Sequence, residues 1–456
     1  MDNNTLAGIR NNLFYGLLDY TKSFPDFSIP QNFLLTSPKM EKELFDAIRG
    51  SLEADRDIML YFHLPFCFAQ CVFCNAIPHK SNREQQERYI ACLLSEFDHF
   101  AGSGVLEGKK VKCVYLGGGT PTAFPDSDIR RILESMRERA DLLEGCNITC
   151  ETHPDNVANP KRLEELMGMG INRISMGCQT FDPKVSSLCN RSNSESRTKM
   201  IVERAGELGL PVNIDMMLGL PGQTVEGLKK DLEILDGIRP DAVEFMRHEI
   251  VNPLAIALYK ERPELVVDDD ALFSMICLSQ EWIEAGGYEQ NGHFTSDRFF
   301  PYRYNWLKET PFISFGSRSR SYTRTMCFDT HEDLPLYFQL TERGKSPIAR
   351  HMTLSKKEQM YRSLFLNIQI RDGLDQGAFR KRFGQNALEV FSGLLESLTG
   401  LGCVRADDES IRLTRYGRYF VEDVCCFIID DALKSEGPSS SKRLPHSLGA
   451  VASKLT

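Results

Sequence analysis

Apolar, β-rich runs alternate with helical patterns from residue 57 onward, and this alternation constrains the fold more than any other feature. Runs able to form strands lie at 58–64, 111–116, 147–152, 173–177, 211–217 and 242–247. Between them the apolar spacing is helical near 84–100, 126–139, 160–168, 194–208 and 224–236. Strands that alternate with helices pair in parallel. We therefore predict an α/β fold with a partial (β/α)6 barrel.

Unusual polar or glycine residues lie at the ends of these strands. A cysteine loop follows the first strand, Gly117–Thr120 follow the second, and Glu151 ends the third. Gln179 follows the fourth strand and Asp215 lies within the fifth. The carboxyl ends of barrel strands form one rim, where active sites are built. These residues are therefore expected to converge on one rim.

The rest of the chain divides by composition. The C-terminal part holds several helices, the stretch CVRADDESIRLT and a last helix, a pattern compatible with a small winged-helix-like domain. The C-terminal end of the chain is rich in Ser and Lys, a composition typical of disordered segments. The predicted units are a 1–55 N-terminal extension, a 56–325 barrel with its extension, a 326–353 linker, a 354–433 C-terminal helical domain and a 434–456 disordered tail.

Composition narrows the class of protein. The formal net charge is −9 and no Lys/Arg block precedes the tail, so nucleic-acid binding is not expected. No run approaches about 18 apolar residues and the start lacks signal-peptide features, so we expect a cytoplasmic protein without a membrane span. The 14 cysteines are scattered, and most are expected to be reduced thiols.

Only one group of cysteines is spaced closely enough along the chain to bind a single metal centre. Cys67-x3-Cys71-x2-Cys74 places three thiolates in a short loop after a strand, with Phe66 and Phe73 beside them. Thiolates are the usual ligands of iron–sulfur clusters, which take four when fully protein-held. Three cysteines would leave one iron open to a further ligand.

Two other interpretations of this motif remain open on spacing alone. Three cysteines with His63 or His79 could form a structural zinc site. Alternatively, the cysteines could be buried thiols that bind no metal.

The sequence resembles the radical S-adenosylmethionine (SAM) superfamily, and within it the HemN-like branch of oxygen-independent coproporphyrinogen oxidases. The resemblance runs from about residue 60 to 427. Its motifs, in chain order, are YFHLPFC at 61–67, GGGTPT at 117–122, ETHP at 151–154, RISMGCQTFD at 173–182, NR at 190–191, NIDMMLGLPGQT at 213–224, GY at 287–288 and LTRYG at 413–417. The resemblance implies that the three cysteines hold a [4Fe–4S] cluster whose open iron binds SAM.

The resemblance also implies which residues bind SAM. Arg191 would pair with its carboxylate, Asp215 would accept from the ribose hydroxyls, and Tyr61 would lie near the sulfonium. Tyr61 and Glu151 are the candidate catalytic residues. The candidate cofactor-binding residues are Tyr61, Phe73, Gly117, Gly118, Gly119, Thr120, Glu151, Gln179, Arg191, Asp215 and Met217. Taken singly, each would more often be an ordinary surface or core residue.

One position departs from the oxidase pattern. The oxidases carry a further cysteine two residues after the third ligand, whereas this chain has Ala76. We therefore expect a C-methyltransferase or cyclopropanase of this branch, which uses a second SAM to transfer a methyl or methylene group to an sp2 carbon. The alternatives are oxidative decarboxylation or ring opening of a tetrapyrrole, and a haem chaperone.

The expected partners are a small-molecule substrate and an electron donor of the reductase or flavodoxin type. The aromatic and arginine-rich region 298–324 could stack on and pair with a planar or anionic substrate. A packed edge of the fold with surface arginines would give the same composition.

Overall fold

A computed structural model describes residues 38–74, 76, 79–250, 252–291, 293–295 and 300–434. Residues 1–37 of the predicted N-terminal extension and residues 435–456 of the predicted tail lie outside the described residues. The described part of the extension is a helix, α1 (Pro38–Ser51), which buries Leu44, Phe45 and Ile48. It therefore packs on the core as an amphipathic helix.

A parallel sheet forms the centre of the molecule. Six of its strands, β1, β4, β5, β6, β7 and β8, pair in parallel in chain order. The first eight strands are β1 (Asp57–Leu64), β2 (Phe66–Cys67), β3 (His79–Lys80), β4 (Lys110–Gly118), β5 (Asp141–Thr152), β6 (Arg173–Gln179), β7 (Val212–Leu218) and β8 (Ala242–Arg247). This arrangement confirms the predicted α/β fold and partial (β/α)6 barrel.

The connecting helices cover the sheet. They are α2 (Arg83–Gly102), α3 (Asp126–Arg139), α4 (Pro160–Gly168), α5 (Pro183–Leu188), α6 (Glu195–Leu208) and α7 (Val225–Ile238). Side chains of Asn82, Ser194 and Thr224 accept hydrogen bonds from backbone amides in the first turns of α2, α6 and α7. Such N-caps satisfy donors that the helix itself leaves unpaired, and they explain why these helices begin where the sequence pattern indicates.

The sheet continues beyond the six predicted strands at both edges. The added elements are α8 (Pro253–Glu261), α9 (Asp269–Ala285), β9 (Glu289–Asn291), β10 (His293–Thr295), α10 (Pro301–Leu307), β11 (Phe312–Phe315), β12 (Arg320–Tyr322), β13 (Met326–Thr330), α11 (Leu334–Thr341) and β14 (Ile348–Thr353). Strand β11 runs parallel to β1, and β12, β13 and β14 follow it in antiparallel pairing.

The expectation of a linker at 326–353 is therefore wrong. This segment forms β13, α11 and β14, and all five residues of β13 are buried. The strands are short, and Asp329 and Thr330 are buried polar residues. A short strand that buries polar residues lacks the apolar alternation on which a sequence-based assignment depends.

The C-terminal unit packs on the barrel. Its elements are α12 (Lys356–Asn367), β15 (Leu374–Asp375), α13 (Gln376–Phe383), α14 (Ala387–Val390), α15 (Ser392–Gly400), β16 (Val404–Ala406), β17 (Ser410–Leu413), α16 (Arg415–Tyr419) and α17 (Val421–Lys434). Its strands form a three-stranded sheet in the order β15-β17-β16. Helix α17 extends one residue into the predicted tail. Among the described residues, no helix is both long and apolar enough to cross a membrane.

A buried carboxyl group joins α2 to the added edge of the sheet. Glu96 accepts hydrogen bonds from the Gly316 amide at 2.8 Å and from the Tyr337 hydroxyl at 2.6 Å. Burial raises the pKa of Glu96 to about 7, above the ordinary value of 4.5. The folded state therefore favours the protonated acid.

We predict that Glu96 makes the protein less stable as pH rises. Its contribution is fully present below the unfolded pKa of 4.5 and is lost as pH rises through the folded pKa of about 7. Glu96→Gln keeps the accepting oxygen but cannot ionise. The fall in unfolding free energy between pH 5 and pH 8, measured by urea titration, should be smaller in the variant by about 2 kcal/mol, since one pKa unit corresponds to about 1.4 kcal/mol.

The matched control is Glu84→Gln, an exposed carboxylate on the same helix. It should leave the pH profile of the wild type unchanged. Equal profiles for Glu96→Gln and the wild type would contradict the prediction.

Candidate functional site

The three predicted cluster ligands lie in the loop after β1, and all three are partly exposed. The Cys67 Sγ lies 3.2 Å from the Thr120 Oγ1, and Arg191 directs an Nη1–H to the Cys71 Sγ at 3.5 Å. The backbone amide of Cys74 donates to the Cys71 carbonyl at 3.2 Å. The loop is thus held by Thr120, which follows β4, and by Arg191, which follows α5.

The donor set fits an iron–sulfur cluster. Thiolates are the usual ligands of such clusters, and each of the three can coordinate a different iron atom. A structural zinc site would instead need four ligands that converge on one point. Across the described residues, no three His, Cys, Asp or Glu side chains group closely enough to hold one metal ion.

His63 is also engaged elsewhere. Its Nδ1 lies 3.1 Å from the Tyr61 hydroxyl, and the ring is buried. Burial and then the charge of Arg318 lower its pKa to about 4, so the ring is neutral at pH 7. The His63 ring lies against Gly118 at the end of β4.

The strand registers place the predicted residues in layers around the barrel. Glu151 on β5 is level with Ser175 on β6, which is level with Asn213 on β7. One layer nearer the rim, Gly177, Asp215 and Glu244 are level on β6, β7 and β8. Residues two apart on a strand face the same side, so these side chains line one chamber.

The glycine run is required by close packing. A Cβ on Gly119 would lie 2.7 Å from the backbone N and O of Phe66, and one on Gly117 would lie 3.0 Å from the Glu151 carboxyl carbon. Gly118 has φ +111°, a conformation that favours glycine, and a Cβ there would overlap the His63 ring. The run brings β4 against the cysteine loop.

Glu151 lies between two donors. Its carboxylate accepts from the Tyr115 hydroxyl at 2.9 Å and from the Gly118 amide at 3.0 Å. Burial raises the pKa of Glu151 to about 7, and the negative charge of Glu244 adds to the rise. The group can therefore exchange a proton near neutral pH.

Gln179 and Arg191 meet at the end of β6. Gln179 has φ +69°, and within the described residues its buried Oε1 lacks a hydrogen-bond partner. Arg191 donates to the Gly177 carbonyl, while its Nε is also buried and unpartnered in this part of the chain. Buried polar atoms are normally paired. Both atoms are consistent with a polar ligand such as SAM at this place.

Asp215 is oriented by its neighbours. Its carboxylate accepts from the Asn213 amide at 2.5 Å and lies 3.4 Å from the Ser175 hydroxyl. Asn213 is fully buried, and its Oδ1 has no partner among the described residues. The two residues present acceptors inside the barrel.

Phe73 and Met217 are brought together in one small apolar cluster. Met217 is buried with Val185, Cys189 and Leu220, and Phe73 packs against this group from the cysteine loop. Both predicted adenine-pocket residues therefore contribute to the same apolar surface beside the loop.

An aromatic wall lines part of the chamber. Tyr61 stacks on Tyr115 with ring centroids 6.0 Å apart, and Tyr115 stacks on Tyr302 at 4.2 Å. Phe312 packs against Tyr61 at 5.6 Å. Tyr302 and Phe312 belong to the aromatic and arginine-rich region 298–324, for which stacking on a flat substrate is one of two interpretations. Sequence reasoning missed Tyr115, although it lies two residues before Gly117 and strand alternation could have identified it.

Comparison with known proteins agrees with this geometry. The family model described as the Radical SAM superfamily matches residues 61–235, and the HemN C-terminal domain matches residues 354–420. The oxygen-independent coproporphyrinogen III oxidase of Escherichia coli K12 is 24% identical over 395 residues, covering 82% of this chain and 86% of that protein. The anaerobilin synthase of E. coli O157:H7 is 25% identical over 423 residues, covering 89% and 92%.

A solved structure shares the fold. Coproporphyrinogen III oxidase (HemN) from E. coli matches with a TM-score of 0.77 at 23% identity, covering 91% of this chain and 98% of that one. None of these three proteins is named a methyltransferase or cyclopropanase, so that narrower expectation gains no support. The chain belongs to the HemN-like branch of the radical SAM superfamily, whose members work with a [4Fe–4S] cluster and SAM.

Proposed function

We propose that this radical SAM enzyme acts on a tetrapyrrole. The observation that carries the proposal is the extent of the similarity, which spans 92% of anaerobilin synthase and 86% of coproporphyrinogen III oxidase. Both names denote tetrapyrrole chemistry. The match includes the C-terminal unit and is therefore wider than the part that binds cluster and SAM.

The aromatic wall supports a flat substrate. Tyr61, Tyr115, Tyr302 and Phe312 form a group of packed rings inside the barrel, below the cysteine loop, and Tyr61, Tyr302 and Phe312 are only half-buried. Aromatic rings favour offset stacking on other flat π systems. A tetrapyrrole offers such a surface close to where a SAM-derived radical would form.

Within the proposal, the residues have separate tasks. Cys67, Cys71 and Cys74 hold the cluster, which supplies, when bound and reduced by an external donor, the electron that cleaves SAM. Arg191 pairs with the SAM carboxylate and also holds the cysteine loop against β6. Asp215 holds a ribose hydroxyl, and Glu151 accepts or releases a proton near pH 7.

Anaerobic reconstitution should yield about four irons and four sulfides per chain, since three cysteines and SAM complete the cluster. Cys67→Ala, Cys71→Ala and Cys74→Ala should each abolish the visible absorption and the electron paramagnetic resonance of the reduced cluster. Cys277→Ala, which removes a partly exposed cysteine of α9, is the matched control and should leave both intact. Stoichiometric zinc without sulfide would select the structural zinc site instead.

Asp215→Ala and Arg191→Ala should weaken SAM binding by about 1–3 kcal/mol each, because a charge-assisted hydrogen bond is lost. Equilibrium dialysis with the reconstituted enzyme measures the change. Asp241→Asn, a half-buried carboxylate that accepts from the Val212 amide at the amino end of β7, opposite the rim, is the control. Unchanged affinity in both variants would remove the two residues from the site.

Methyl or methylene transfer is the second candidate, and Ala76 is the observation that favours it. The position has no thiol, unlike the oxidases that the sequence resembles. In such a transfer the 5′-deoxyadenosyl radical takes hydrogen from the methyl group of a second SAM.

SAM carrying a CD3 group distinguishes the two candidates. Methylene transfer should give monodeuterated 5′-deoxyadenosine together with S-adenosylhomocysteine. Decarboxylation should give unlabelled 5′-deoxyadenosine, because the hydrogen comes from the substrate. Coproporphyrinogen III and haem are the substrates for this assay, which requires reducing, anaerobic conditions. Mass spectrometry identifies the products. Binding of haem without 5′-deoxyadenosine from either substrate would indicate a chaperone.

A further inference from the structure

The loop between β11 and β12 presents a single arginine at the rim of the barrel. Residues 313–317 and Ser319 are buried, whereas Arg318 is exposed. Because β11 runs parallel to β1, its carboxyl end lies at the same rim as the cysteine loop. The Arg318 guanidinium reaches that loop and donates to the Ala76 carbonyl at 3.4 Å.

The protein holds the backbone of this turn from several sides. The Ser317 amide donates to the Tyr89 hydroxyl at 3.1 Å, and the Ser319 amide donates to the Thr330 Oγ1 at 2.9 Å. A Cβ on Gly316 would lie 2.8 Å from the His63 carbonyl oxygen, so the strand end is pressed against β1. The position of the turn is therefore fixed.

Arg318 itself is in an unfavourable conformation. Its φ is +62°, in the left-handed region that favours glycine over a residue with a side chain. Strained residues that persist in a rigid setting concentrate at functional sites. Arginine occupies a position whose backbone conformation suits glycine. This indicates that the guanidinium has a function there.

The charge of this guanidinium is not neutralised locally. Among the described residues, Arg318 forms no ion pair with a carboxylate, and its guanidinium donates a hydrogen bond to the neutral Ala76 carbonyl. Burial and then the charge of Arg318 lower the pKa of both His63 and His79. Neither imidazole therefore competes for an anion, and Arg318 is the cation that this turn offers at the rim.

We propose that Arg318 recognises a carboxylate of the substrate at the mouth of the chamber. The inference rests on the proposed function and narrows it to tetrapyrroles with free carboxylate side chains. A guanidinium binds carboxylates through paired N–H donors. From its place beside Ala76, Arg318 would orient the flat ring over the aromatic wall. It is a specificity residue and takes no part in SAM cleavage.

The test compares mesoporphyrin IX, which has two free carboxylates, with its dimethyl ester. Absorbance titrations of the reconstituted holoenzyme give the Kd for each. The wild type should bind the acid at least about tenfold more tightly than the ester, since a charge-assisted contact is worth a factor of ten or more. Arg318→Gly and Arg318→Gln should erase this preference by raising only the Kd of the acid.

Two further measurements separate recognition from structure. Arg318→Gly should melt at or above the wild-type temperature, because glycine suits the left-handed turn. The Kd for SAM should be unchanged in both variants. Arg343→Gln, which removes an exposed arginine after α11, should behave like the wild type throughout.

Each contrary result would exclude a specific part of the proposal. An acid preference that survives in Arg318→Gly excludes Arg318 as the recognition residue and leaves the proposed function standing. A raised Kd for SAM assigns the guanidinium to the SAM carboxylate instead. A wild type that binds neither porphyrin overturns the tetrapyrrole function and this inference with it.

Discussion

The close approach of the glycine run to the loop after β1 is the constraint on which the site depends. The Gly119 amide donates to the Leu64 carbonyl and the Thr120 amide to the Phe66 carbonyl, both at 3.0 Å. These bonds require backbones in near contact, and a Cβ on Gly119 would lie 2.7 Å from Phe66. The same approach puts the Thr120 hydroxyl beside the Cys67 thiol. A side chain in the run would therefore displace the first thiolate together with the loop.

Much of the fold could be predicted because its signals are local and periodic. Strands buried on both faces appear as apolar runs, and every crossover helix except α3 has an N-cap side chain that the sequence shows. The cysteine loop could be predicted for a different reason, since its three ligands lie within eight residues. Strands β12, β13 and β14 could not be predicted. They are short, antiparallel and stabilised by buried polar contacts such as the pairing of Asp329 with Arg320 and Arg350.

Only some of the residues in the site could be predicted from the sequence. Asn213 lies two residues before Asp215 on the same face of β7, so alternation along a strand could have identified it. Tyr302 and Arg318 lie in the aromatic and arginine-rich region 298–324, whose composition is visible in the sequence but whose position in the fold is not. Tyr302 enters the chamber from α10, and Arg318 reaches the rim from the turn after β11. The pairing of β11 with β1 that brings this turn to the rim carries no sequence motif.

A buried ion pair makes the rim depend on the C-terminal unit as well. Arg247, at the end of β8, donates to both carboxylate oxygens of Asp423, at 3.2 and 2.6 Å, and pairs with Glu422 at 3.1 Å. Both acids lie in the first turn of α17, where the helix dipole favours negative charge. Breaking a buried pair leaves an uncompensated charge, which costs several kcal/mol. Without the C-terminal unit, Arg247 would lose both of these carboxylate partners. The rim therefore has its present electrostatics only when both units are present, which gives a physical reason for a similarity that spans nearly the whole length of the relatives.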